Sequence, residues 1–255
     1  MNVRMRDLRA ALPDVSAEGM RKAVSRQQKR GRLAGLSRGS EHWLIVPLQH
    51  WATGAPPLES WLHDYVAKTL GTPYYVSLLS AAETYGSSPY AVMSMQVMVS
   101  ERRRAIVVGR HRVEFHTRTR IEEMPTRWHE TPDGRFKVST PELTALDIIQ
   151  HGETLGGIGR VREVLRGLWP HCVENGVVQA LDALQSVPLA QRLGTLMDMD
   201  GQNELAAAAE KWLAGRPLRL VALVGSGPNA KTSCSHMTNQ RFKVLVSVGT
   251  EGANA

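Results

Sequence analysis

From residue 225 to residue 232 the chain reads GSGPNAKT, directly after the apolar run at 218–224. That is close to a P-loop, which cradles phosphate with G-x-x-x-x-G-K-[ST]. Ala230 stands where the second glycine is required, and Pro228 removes one backbone donor. The glycine lets successive N–H groups turn toward phosphate, so alanine works against the loop. The lysine should also open a helix whose N-terminus faces the phosphates. Instead Lys231 leads into TSCSHMTNQ, a polar stretch without helical periodicity. The expectation is a long connection between two strands, without nucleotide hydrolysis.

Other catalytic patterns are equally incomplete. His129-Glu130 continues with Thr-Pro-Asp, so HExxH is not formed, and no G-x-S-x-G occurs. Cys172 and Cys234 lie 62 positions apart without a C-x-x-C pair, which excludes a zinc knuckle pattern and points to a reducing compartment. Glu114, Glu142 and Asp147 with Lys137 have the side-chain types of a nuclease site, but each is expected to be structural, with Asp147 fixing a local hydrogen bond in a helix. No catalytic residue, cofactor or metal is expected.

The residues with coherent chemistry are cationic. Residues 1–40 carry ten Lys and Arg against three acids, while residues 41–255 carry 21 of each. All of the net +7 therefore falls in the first sixth of the chain, the pattern of a polyanion-binding segment. Arg21, Lys22, Ser25, Arg26 and Lys29 recur at i, i+1, i+4, i+5 and i+8, which puts them on one face of a helix. Such a face can read base edges with some side chains and sit on phosphate with others.

The elements that position this face are set by local signals. Residues 6–12 read as a short helix with Leu8, Ala11 and Leu12 on one side, broken by Pro13-Asp14. Ser16 can cap a second helix over 17–30, with Ala17, Met20, Ala23, Val24 and Gln27 or Gln28 as its packing face. Gly31 stops it. Residues 32–47 then read as two short strands around the turn Ser37-Arg38-Gly39-Ser40. Helix, turn, basic helix and basic-tipped hairpin form the body of a winged helix-turn-helix, whose second helix lies in the major groove. Arg38 at the hairpin tip and Arg4 and Arg6 near the N-terminus are expected on DNA backbone or in the minor groove. The leading helix usual in such a domain is missing or very short.

Beyond a Gly- and Pro-containing linker, residues 58–70 read as an amphipathic packing helix and 76–85 as a second helix. Strands are expected at 92–99, 105–108, 112–117 and 135–139. The first two flank the charged turn Glu101-Arg102-Arg103-Arg104, read as an exposed hairpin tip. Thr140-Pro141-Glu142 is a strong helix start. Helices are expected over 141–150, 158–168, 174–185, 189–196 and 203–213, with closing strands at 218–224 and 241–248. No run approaches the ~18 apolar residues of a membrane span, and the N-terminus has no apolar h-region, so a cytoplasmic protein is expected.

The stretch from about residue 43 to 168 resembles the AbiEi family. The residues that carry the likeness are PYYVSLLSAA at 73–82 with Gly86, STPELTALD at 139–147, and Gly156-Gly157-Ile158, with NQRFKVLVS at 239–247 similar to the family's last strand. Ser87-Ser88-Pro89-Tyr90 departs from the His-Gln pair found in many relatives. Proteins of this family are antitoxins and transcriptional repressors of bacterial type IV toxin–antitoxin systems. The resemblance implies binding to double-stranded DNA at inverted repeats of the protein's own promoter, and antagonism of a nucleotidyltransferase toxin as functional partner.

The expected fold is therefore α+β: a winged helix-turn-helix at 1–50, then a larger mixed α/β antitoxin domain at 51–255 with a helical C-terminal part. The competing reading is a nucleic-acid-processing enzyme targeted by its basic N-terminal domain, motivated by the near P-loop and the scattered acids. A module that neutralises a toxin by direct contact is the third.

Overall fold

The computed structural model describes residues 2–36, 41–223 and 236–247, and it is of mixed α+β class. Its chain divides into two compact units. Unit 1 comprises 1–76, 92–122 and 127–138; unit 2 comprises 77–91, 123–126 and 139–255.

Unit 1 opens with strand β1 (Asn2–Arg4), helices α1 (Met5–Ala11) and α2 (Ala17–Lys29), and strands β2 (Leu33–Gly35) and β3 (His42–Ile45). β1 stands where a leading helix would be, and it pairs antiparallel with β3, giving the order β1-β3-β2. The Ser16 hydroxyl accepts the Gly19 N–H at 3.1 Å, capping α2 as its sequence implies. Gly31 ends the helix with φ +70, a left-handed conformation that costs glycine least. Met5, Met20, Val24 and Trp43 form the core, with Val3, Leu8 and Leu33 packed against it. The face of α1 lies one turn earlier than its sequence suggests. Because α1 comes directly after β1, Met5 and Leu8 pack inward while Ala11 and Leu12 are exposed. Ala17, expected on the packing face of α2, is exposed in its first turn.

Residues 48–53 form a 3-10 turn, and 58–70 do not form one α-helix but a 3-10 turn at Leu58–Ser60 and a π-helical turn at Asp64–Thr69. Leu58, Trp61, Leu62, Tyr65 and Val66 are nevertheless buried, so the packing face is as the spacing predicts.

A six-stranded sheet completes unit 1: β4 (Tyr74–Val76), β5 (Met95–Val99), β6 (Ile106–Val108), β7 (His111–Thr117), β8 (Thr126–Thr131) and β9 (Gly134–Ser139), in the order β6-β7-β5-β4-β9-β8. β4 and β8 are not signalled by the sequence. Tyr74, Tyr75 and Val76 are buried on both faces, so β4 shows no alternation to betray it. β7 lies between β5 and β6 and runs parallel to β5. Residues 100–105 are consequently a crossover, not the tip of a hairpin.

Unit 2 is mainly helical: α3 (Leu78–Thr84), α4 (Pro141–Gln150), α5 (Ile158–Leu168), α6 (Glu174–Leu184), α7 (Val187–Met199) and α8 (Asn203–Leu213). The Thr140 hydroxyl caps α4 by accepting from the Leu143 N–H, with Pro141 in its first turn. α7 starts two residues before the expected position because Pro188 fits a helix's first turn. Three short strands, β10 (Val221–Ala222), β11 (His236–Asn239) and β12 (Val244–Ser247), form a sheet in the order β10-β12-β11. α7 packs on them through Gly194: a Cβ there would stand only 2.2 Å from the Phe242 ring. The Gln191 amide fixes the same contact, donating to the carbonyls of Arg219 at 2.8 Å and Phe242 at 2.7 Å.

Candidate nucleic-acid interface

The cationic face of α2 is built by the packing of its opposite side. Met20 and Val24 are 3 % and 5 % exposed, which orients the helix so that Arg21, Lys22, Ser25, Arg26 and Lys29 all face solvent. The Lys22 ammonium pairs with Glu18 one turn earlier at 2.8 Å, and both side chains are exposed. Among the described residues, Arg21, Arg26 and Lys29 make no ion pair. Unneutralised charges grouped on one helix face sum to a local positive field. Arg9 and Arg30, not singled out in the sequence, are exposed as well.

The three outlying cations differ. Arg6 is exposed and lies 3.5 Å from Asp7. Arg4 is half-buried on β1, and its guanidinium donates to the Thr69 hydroxyl at 3.1 Å. Its backbone N–H donates to Asp7 at 3.0 Å, so Asp7 serves the start of α1. Arg38, with the rest of the turn at 37–40, lies outside the described residues. His42 on β3 is held below its ordinary value by burial first, then by Arg4 and Arg6.

The residues offered by catalytic patterns are employed locally. Glu114 on β7 pairs with Arg112 at 2.8 Å. Glu142, buried in the first turn of α4, accepts the Val173 N–H at 2.9 Å and so caps α6 from a neighbouring helix. Asp147 is fully buried on α4, and Lys137 lies on β9 with its ammonium 5.7 Å from the centre of the Trp128 ring. Burial raises the Cys172 thiol well above its usual range, with Glu142 adding to it, which suits an inert side chain. Among the described residues, no three of His, Cys, Asp and Glu gather as a metal site. The P-loop-like residues 225–232 and Cys234 lie outside the described residues. The next described element after them is β11, a strand. Among the described residues no helix is long and apolar enough to cross a membrane.

Residues 75–199 match the family model described as the AbiEi antitoxin C-terminal domain. This stretch of the chain is an AbiEi antitoxin C-terminal domain. The matched stretch begins within β4 and ends with α7, so it contains the second and third sequence blocks of the resemblance and the first from Tyr75 onward. No curated protein matches the chain in sequence. Among solved structures, the RV2827C protein from Mycobacterium tuberculosis superimposes with a TM-score of 0.66 over 96% of this chain and 86% of that one, at 14% identity. At that identity the likeness concerns the fold. The cationic helix α2 precedes the matched AbiEi stretch.

Proposed function

We propose that this protein is a DNA-binding autorepressor and antitoxin of a type IV toxin–antitoxin system. In this reading residues 1–50 are a winged helix-turn-helix, with α1 and α2 as the helix pair, the β2–β3 hairpin as the wing, and α2 in the major groove. The observation that carries it is the solvent-facing row Arg21, Lys22, Ser25, Arg26 and Lys29, set by the burial of Met20 and Val24 on the reverse of the same helix. Arg21 and Arg26 are suited to bidentate contact with guanine, and Lys22 and Lys29 to phosphate. Arg6 and Arg38 add backbone contacts. Arg4, held by Thr69, contributes by charge and position more than by reach.

The AbiEi antitoxin domain supports the antitoxin role for the remainder of the chain, 51–255, and the functional partner would be a nucleotidyltransferase toxin. The DNA ligand would be the inverted repeats of its own promoter, and no cofactor or metal is needed for either task. A mobility-shift titration of the promoter fragment tests the reading. The wild-type chain should shift the native repeats in preference to a scrambled duplex, and Arg26→Ala should weaken that shift. Equal shifts for both proteins would remove α2 from the interface.

A further inference from the structure

Residues 100–105 cross from β5 to β6 over a strand that lies between them, and they carry Arg102, Arg103 and Arg104 in succession. The three arginines line a groove of about 660 Å³ whose other walls include Tyr65, Phe115 and Leu36. Leu36 is the residue that leaves β2, and its N–H donates to the His42 carbonyl at 3.2 Å, closing the stem of the β2–β3 hairpin. The arginine crossover thus stands beside Leu36, at the end of the hairpin where β2 leaves its pairing with β3, within unit 1.

The charges of this crossover are poorly matched within the protein. Arg102 and Arg104 are exposed and, among the described residues, make no ion pair. Arg103 is half-buried, with its Nε enclosed and lacking an acceptor among the described residues, and its carboxylate partner Glu101 is 3.7 Å away. Holding a guanidinium partly out of water without a close anion is costly, and an arriving phosphate would remove that cost. Arginine's planar fork suits phosphate in particular.

We infer that Arg102, Arg103 and Arg104 form a second phosphate-binding patch that grips the duplex backbone beside the segment entered by α2. The inference rests on the DNA-binding reading above. Duplex DNA is favoured over an acidic protein because the patch adjoins the hairpin proposed as the wing.

The test uses the full chain and a labelled promoter duplex, titrated at several salt concentrations, with wild type, R26A and the double variant R102A/R104A. Both substituted side chains of the double variant are exposed, and a circular-dichroism melt checks that it folds as wild type. Losing two phosphate contacts should lower the salt slope by about 1.8, so that raising salt from 50 to 200 mM weakens the variant about tenfold less than wild type. Its preference for the repeats over a scrambled duplex should be kept, whereas R26A should lose part of that preference. If the double variant melts early, R102Q alone should lower the slope by about 0.9. A wild-type protein that binds no duplex overturns the DNA-binding reading itself. Wild-type binding with an unchanged slope in folded R102A/R104A overturns this inference alone. An unchanged slope combined with loss of toxin co-purification would also overturn it, assigning the patch to a protein partner.

Discussion

At the scale of single residues, the proposed interface depends on how each cation is already engaged. Arg26 has no carboxylate to release among the described residues, so its full charge is available to DNA. If it makes a bidentate base contact, Arg26→Ala should cost about 1–3 kcal/mol and relax sequence preference at the base it reads, as measured by anisotropy on single-base operator variants. A tightened or unchanged preference in R26A would contradict the assignment. Lys22 begins from an ion pair with Glu18, so Glu18→Gln should raise affinity a little, by removing both a competitor and a like charge to phosphate. Away from this face, the side chain of Asp200, at the C-terminal cap of α7, is 3% exposed and ties α5 to α7. It accepts from Arg162 at 2.5 Å, Arg166 at 3.3 Å and the Trp169 indole at 3.0 Å. Burial alone would raise its carboxyl, but the donors, Arg162 foremost, hold it below the usual range. Asp200→Ala should destabilise unit 2 by about 2 kcal/mol, at the low side for a buried pair because Arg166 is solvent-exposed. A chemical denaturation midpoint equal to wild type would refute that role.

At the scale of elements, the interface is only as rigid as α2. Met20→Ala removes a side chain from the small core with Met5, Val24 and Trp43 and should cost about 2–5 kcal/mol. Ser16→Ala removes the cap and should cost about 1 kcal/mol. Both should weaken DNA binding through loss of helix, detectable as a lowered melting temperature together with reduced affinity. A loss of affinity without loss of stability would mean that these residues act by another route. This scale is also where the sequence is most and least legible. α2 is readable to within a residue because the Ser16 cap, Gly31 and 3.6-residue spacing agree, and α5 and α8 because glycines precede a run of 3.6-residue apolar spacing. β4 is not, because three residues buried on both faces carry no period. β8 is not, because its residues alternate between half-buried and exposed without an apolar row. The split of 58–70 into a 3-10 turn and a π turn is invisible in composition, since its inward residues are those a helix would also bury. The same topology explains why Arg102–Arg104 read as a hairpin tip: only the placement of β7 between β5 and β6 turns their loop into a crossover beside Leu36.

For the whole molecule, charge and pH give the broadest expectations. Neutralising about six phosphates predicts that affinity for the promoter falls on the order of a thousandfold between 50 and 200 mM salt. A shallow dependence would argue for a neutral, protein-like contact. His42, His63, His111 and His116 all lie in unit 1, and burial holds each below the ordinary value of 6.5. A histidine depressed in the folded state binds fewer protons there than in the unfolded chain. Its contribution is therefore complete above pH 6.5 and is lost as pH falls through the lower folded values. Unit 1 should melt at a lower temperature at about pH 5 than at about pH 7. A melting temperature that rises on acidification would show that these rings gain partners instead.

The central claim is that one face of α2 meets DNA. Its most direct measurement is the affinity of the triple variant R21A/R26A/K29A for a duplex carrying the promoter's inverted repeats, against wild type at equal salt. Wild type should favour the repeats over a scrambled duplex, while the triple variant, melting as wild type does, should lose both affinity and that preference. A folded triple variant that binds the repeats as tightly and as selectively as wild type would contradict the claim.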